Sequence, residues 1–263
     1  MNKCPARKGA WGQVGGACPK FPAIGTGPPT ADNTHEVAQH VDPSSRIVHV
    51  DNDPLVLVHA NALLTSAPEG VTAYVDADVR DPGAILRQAA GTPDFGRPVA
   101  ITMLGILNFV MDTDDTVSVV RRLMDAVPSG SHLVVSHPTT EVDGEVMTQA
   151  VEYWNSQGSA STSLRSRAEL VRFLDGVDVL LPGVVSCSRR RPDEAEAEAV
   201  DVTHFGGVGR KRWTAGREQG TGAVRRTGVA GPCPSGWRRA GSGRTTEGNG
   251  DRVEVPSSPQ EEP

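Results

Sequence analysis

Between residues 21 and 211, short β-branched runs alternate with stretches whose apolar positions recur every three or four residues. Pro22-Ala23-Ile24 predicts a short strand that runs into Gly25-Thr26-Gly27, a turn that small residues allow. Asn33 and Glu36 have the spacing of a helix-opening box, and Val37, Ala38 and Val41 give that helix an apolar side before it ends by Pro43. Ile47, Val48 and Val50 predict a second strand, ending in Asp51. Pro54 opens a helix with Leu55, Val58, Ala62 and Leu63 on one face. Thr72–Val75 is a third strand, followed by a helix from Pro82 through Ala84, Ile85, Leu86 and Ala89. The almost unbroken apolar run Val99–Val110 suits a strand covered on both faces and then a loop. Asp112, Asp114 and Asp115 start the next helix, whose apolar side is Val117, Val120, Leu123 and Met124. A fifth strand covers His132–His137, and helical patterns follow at Val146–Trp154 and Ser166–Leu174, the second opened by Ser166 and Glu169. Val177–Ser188 and Val202–Arg210 form a closing strand pair. Five alternations of strand and helix predict an α/β, doubly wound sheet.

The 37% hydrophobic content is modest because both ends dilute a richer middle. Residues 1–20 read as an irregular leader, 21–212 as the folded domain, and 213–263 as a disordered Gly/Arg/Pro-rich tail. No stretch approaches the roughly 18 apolar residues of a membrane span, and the start lacks the apolar run of a secretory signal, so a cytoplasmic protein without a membrane partner is expected. Cys4, Cys18, Cys187 and Cys233 are scattered, which suggests neither a zinc site nor a disulfide framework. A net charge of −6 argues against a nucleic-acid surface for the whole molecule. Arg210, Lys211, Arg212, Arg217, Arg225, Arg226, Arg238, Arg239 and Arg244 do make the tail basic. The bland reading of that tail, a solvated extension, outweighs a phosphate-binding arm.

The candidate chemistry starts at Gly25-Thr26-Gly27. Asp51 lies about two dozen positions beyond Gly27, near the offset of a ribose-binding acid in a nucleotide-binding β-α-β unit. An NAD-binding Rossmann protein is the rival within this fold. It normally needs a third glycine for pyrophosphate, whereas this chain has Thr30, and Pro28-Pro29 removes two N–H donors. A cofactor without phosphates fits better. Asp53 is equally suited to cap a helix before Pro54, and Asp76 and Asp81 read as turn and cap residues. His35, His40, His49 and His59 lack metal-ligand spacing and read as solvated or core-edge; no metal is expected.

Ile24-Gly25-Thr26-Gly27, Val50-Asp51-Asn52-Asp53-Pro54 and Asp76-Ala77-Asp78-Val79-Arg80-Asp81, with Pro128-Ser129-Gly130-Ser131 and Pro182-Gly183-Val184-Val185, resemble the class I S-adenosylmethionine-dependent methyltransferases, and more narrowly one bacterial family of them. The resemblance covers about Phe21 to Lys211. It implies a Rossmann-like seven-stranded sheet with an antiparallel last strand, and S-adenosylmethionine as cofactor. It also implies cofactor positions: Gly25 and Gly27 beneath the methionine part, Asp51 on the ribose hydroxyls, Asp78 at the adenine amino group, Leu104 alongside, and Ile24, Thr26, Asn52 and Val79 among the flanking positions. The implied partner is a small-molecule methyl acceptor.

The chain departs from that pattern in named places. Ala23 stands where the family has an aspartate that helps hold the methionine end. The leader does not resemble the family's helical lid, and the tail matches no known pattern, as expected of a reading altered or truncated at both ends. Asn108 precedes Phe109 where the family often has His. Methyl transfer needs an aligned nucleophile and a dry site, and a base only when the acceptor must first lose a proton. Asn108, Asp112 and His137 are the candidate catalytic residues; an Asp/Asn-Pro-Pro-aromatic motif is absent. A catalytically impaired relic that keeps the cofactor fold is the alternative reading.

Overall fold

A computed structural model of the 263-residue chain describes residues 20–28, 33–63, 66–91, 97–158, 160–190 and 200–213. Pro29 and Thr30, the leader before residue 20, the acidic stretch 191–199 and the tail beyond residue 213 lie outside the described residues. The elements are β1 (Lys20–Ile24), α1 (Thr34–Val41), β2 (Arg46–Asp51), α2 (Pro54–Leu63), β3 (Val71–Asp76), α3 (Pro82–Ala89), β4 (Ala100–Leu104), α4 (Thr113–Asp125), β5 (His132–Pro138), α5 (Gly144–Ser156), α6 (Arg167–Arg172), β6 (Val177–Val179), β7 (Val185–Ser186) and β8 (His204–Lys211). They form one sheet in the order β3-β2-β1-β4-β5-β8-β6, with β7 paired to β8. The first five strands run parallel. β8 is antiparallel to β5, β6 and β7. Seven strands therefore make the main path, and the eighth, two residues long, is an addition the sequence pattern merges into the Val177–Ser188 segment. The strand order reverses between β1 and β4, which places the crevice for a ligand at their carboxyl ends.

Alternation along the strands divides the core. Val48, Val50, Ile101, Met103, Leu133 and Val135 face α3 and α4, where Ile85, Ala89, Val119, Val120 and Leu123 close over them. Ile47, Ala100, Val134 and Val208 face the other way, toward Ala38 of α1. α4 is capped at its start by Asp112, whose carboxylate accepts from the N–H groups of Asp114 and Asp115. Its far end is closed by Lys211, whose Nζ donates to the carbonyls of Met124 and Val127 at 2.7 and 2.8 Å.

Two helix faces differ from the periodic reading. α2 buries Val56 and Ala60, while Leu55 and Val58 are exposed. Its sequence is apolar on almost every side, so spacing could not choose the face; contact with the sheet does. α1 buries Ala38 but exposes Val41, and its inner side is otherwise polar, with Thr34, His35 and Gln39. Two of those groups find internal partners: Gln39 donates to Ser45 O at 3.2 Å and accepts from Ala67 N at 2.8 Å, and the rings of His35 and His49 meet at 3.3 Å. His35 and His49 are thus core residues rather than solvated ones, with His49 also stacked on Tyr74. Burial lowers the His35 pKa, keeping the ring neutral.

Candidate functional site

The site is built where β1 ends. Gly25 and Gly27 have φ of +72° and +62°, and the Gly25 N–H donates to Val50 O at 2.8 Å. A side chain at Gly25 would meet Ile106 at 2.4 Å, so glycine is required there by both conformation and space. The Gly27 N–H donates to Asp51 Oδ2 at 2.8 Å, and Asp51 Oδ1 accepts from Asp53 N at 3.1 Å. A glycine turn and an acid 24 residues apart are thereby one constellation. Each Asp51 oxygen takes a single backbone donor in these bonds and keeps capacity for another. Asp53 caps α2 by accepting from Leu55 N at 2.9 Å, and Asp81 caps α3 by accepting from Ala84 N at 2.9 Å.

One loop further along, Asn52 donates to Asp78 Oδ2 at 3.2 Å. Asp78 also receives a forked bond from Arg80, Nε at 2.8 Å and Nη2 at 2.6 Å. These bonds from Arg80 hold its carboxyl below the usual carboxylate range. Ile24, the last residue of β1, and Val79, in the loop after β3, are buried, and Leu104 is half-buried at the end of β4. Gly105 follows with φ +68°, and a methyl group built on it would meet nothing within 4 Å, so the crevice is open above this strand end.

Beyond Gly105 the chain makes a 3-10 turn, Leu107–Phe109, and this turn is held from behind by Arg165. Arg165 is 2% exposed. Its Nη1 donates to Leu107 O at 3.2 Å and His137 Nε2 at 2.7 Å; its Nη2 donates to Val110 O at 2.6 Å, Met111 O at 3.2 Å and Thr116 Oγ1 at 3.1 Å; its Nε reaches Thr113 Oγ1 at 3.1 Å. The guanidinium also lies 5.5 Å from the Phe173 ring centre. His137 donates through Nδ1 to Pro138 O at 2.7 Å, which leaves Nε2 as the acceptor for Arg165. Burial drives the His137 pKa down to about 4. Sequence reasoning missed Arg165, whose partners lie 28 to 58 residues earlier.

Of the candidate catalytic residues, Asn108 sits in the held turn, Asp112 caps α4, and His137 is enclosed between Pro138 and Arg165. Asn108 Nδ2 donates to Thr162 Oγ1 at 2.7 Å, and the Asn108 main-chain carbonyl accepts from Ser163 N at 2.9 Å. Among the described residues no three His, Cys, Asp or Glu side chains converge on a metal position. A cavity of about 150 Å³ lies among Val120, Met124, Leu133, Phe173 and Lys211, at the amino ends of β5 and β6, the opposite edge of the sheet from the crevice.

The model of a family described as S-adenosyl methyltransferase matches residues 16–212. The structure of a DUF574 family protein from Streptomyces avermitilis shares 42% identity with the chain, over 79% of this chain and 80% of that one, with a TM-score of 0.71. A Thermobifida fusca protein assigned as a methyltransferase shares 32% identity over 80% of each chain, with a TM-score of 0.69. No curated protein matches the chain. Together with the glycine turn bound to Asp51 at the crevice of a β3-β2-β1-β4-β5-β8-β6 sheet, these matches establish that the chain belongs to the S-adenosyl methyltransferase family.

Proposed function

We propose that this chain transfers a methyl group from S-adenosylmethionine to a small-molecule acceptor held over the carboxyl ends of β4 and β5. The observation that carries the reading is the bond between Gly27 N–H and Asp51, which fixes an acid with spare acceptor capacity beside a glycine turn at the switch point. The residues fit the cofactor: Asp51 suits a pair of ribose hydroxyls, Gly25 and Gly27 leave the backbone accessible beneath the methionine part, and Ile24, Thr26, Asn52, Val79 and Leu104 flank them. The cofactor supplies an electrophilic methyl group on a sulfonium. The chain's own residues then bind, orient and exclude water. Asp78 would receive the adenine amino group only by yielding a bond from Arg80 or Asn52. A domain spanning 21–212, a bacterial source and a cytoplasmic location belong to the same proposal; the organisms of the two family structures support the second.

The second reading, a relic that keeps the fold but binds poorly, has one observation in its favour. Ala23 is buried in β1 at the position of the family's acid, so no side chain there can hold the methionine end. Calorimetric titration with S-adenosylmethionine and S-adenosylhomocysteine separates the two. Micromolar binding that Asp51→Ala abolishes supports the enzyme; no heat at millimolar ligand supports the relic, and affinity that survives Asp51→Ala overturns the placement.

A further inference from the structure

We propose that Asn52 is a specificity-determining residue of the cofactor site: in the empty protein its side-chain amide occupies, on Asp78, the place of the adenine amino group, and the arriving cofactor exchanges with it. The proposal rests on the cofactor reading above, which sets the adenine against Asp78. Its basis is the set of bonds that Asp78 already holds. Oδ1 accepts from Arg80 N and Arg80 Nε, both at 2.8 Å, and Oδ2 accepts from Arg80 Nη2 at 2.6 Å and Asn52 Nδ2 at 3.2 Å. An ionised carboxylate offers about four acceptor directions, and these donors use them. A further N–H therefore enters only by exchange.

The bonds differ in how readily they yield. Arg80 grips with both its fork and its main chain, and its charge strengthens the fork. Asn52 contributes one longer bond, from a neutral amide on an exposed residue. Exchange at Asn52 also replaces like with like. The Nδ2 group of a carboxamide and the exocyclic amino group of adenine are both planar, uncharged N–H donors, so the carboxylate keeps its full set of donors and its guanidinium partner. Displacing Arg80 instead would put a neutral donor in place of a charged one. The backbone sets the exchange at the crevice. β2 and β3 pair as far as Asp51 and Asp76, and Ala77 N continues the ladder to Asp51 O at 3.2 Å, so the loops carrying Asn52 and Asp78 leave the sheet side by side at its carboxyl edge. Asp51, the residue before Asn52, is bonded to the glycine turn. Asn52 thus links the acid of the glycine turn to Asp78. The adenine amino group then gains only the difference between its own bond and the one it displaces, whereas a base without that group leaves Asn52 in place.

The test is calorimetric titration of the full chain with S-adenosylhomocysteine and with its 6-deamino analogue, in which hydrogen replaces the adenine amino group. In Asn52→Ala the place on Asp78 is open. S-adenosylhomocysteine is expected to bind about three- to tenfold more tightly, the worth of one such hydrogen bond, while affinity for the deamino analogue stays within about twofold. In Asp78→Ala the preference for the amino compound disappears, and adding Asn52→Ala changes neither affinity. Weaker or unchanged S-adenosylhomocysteine binding in Asn52→Ala, an equal shift for both ligands, or an Asp78→Ala variant that keeps the preference overturns the proposal. If Asn52→Ala lowers the urea unfolding midpoint, Asn52→Leu, of the same size but without a donor, decides by the same two affinities. Failure of the unaltered chain to bind S-adenosylhomocysteine overturns the cofactor reading itself, which keeps the two failures distinct.

Discussion

Replacing Arg165 with methionine preserves the length and apolar stem of the side chain and deletes every donor it carries. The buried acceptors Val110 O and His137 Nε2 lose their charged partner outright, and Leu107 O, Met111 O, Thr113 and Thr116 each lose a bond. A buried acceptor left unsatisfied costs about 1–3 kcal/mol. His137 Nε2 is left without a donor, while Val110 O keeps Thr116 Oγ1; adding the lost charge-assisted bonds to the main-chain carbonyls and subtracting the relief from no longer burying a cation gives about 4 kcal/mol. For a folded region of this size that is a fall in Tm of roughly 8–16 °C. Arg165→Lys keeps the charge but not the fork, and about half the loss is expected. The assay is urea unfolding of both variants, with His137→Leu and the double variant Arg165→Met/His137→Leu completing a cycle. A coupling energy of at least ~1 kcal/mol is expected, because the imidazole and the guanidinium satisfy one another. Arg165→Met within ~1 kcal/mol of the parent, or a cycle with no coupling, would refute the account of Arg165 as the hub of the turn.

Two further outcomes follow from the geometry. His137 is held neutral with its pKa at about 4, and burial also lowers His35 and His204. The unfolded chain takes up protons near 6.5 that the folded chain refuses, so stability is complete above that value and falls as pH drops toward 4, by about 3 kcal/mol from His137 alone. A urea midpoint that stays constant from pH 7 to pH 4.5 contradicts this. Gly25→Ala forces a side chain into a positive φ and within 2.4 Å of Ile106, for a loss of about 2–4 kcal/mol and weaker S-adenosylhomocysteine binding; a variant within ~0.5 kcal/mol of the parent removes the steric argument.

Features written into adjacent residues were legible in the sequence. Asn33 with Glu36 and Ser166 with Glu169 form their capping boxes, and Asp81 caps the helix it precedes. The glycine turn and Asp51 are hydrogen-bonded to one another because the strand, helix and strand between them bring the ends of β1 and β2 side by side. What stayed hidden depends on distant partners. Nothing around Arg165 announces that it will be buried among carbonyls of residues 107–111, since its neighbours read only as a helix start. The inner face of α2 was equally unreadable, because an almost wholly apolar helix carries no directional signal. In α1 the pattern misled, since His35 and Gln39 are buried by finding partners and not by being apolar.

Strand β8 is the last of the described strands yet lies inside the sheet, between β5 and β6, and its final residue Lys211 closes the end of α4. During synthesis β5 therefore waits with one bare edge until residues 204–211 have left the ribosome, because no earlier segment supplies its hydrogen bonds on that side. The halves on either side of β1 can pair as they emerge, but the sheet cannot be completed vectorially. Its closure is a long-range, late event, and the nascent chain stays open to edge-to-edge association until β8 arrives.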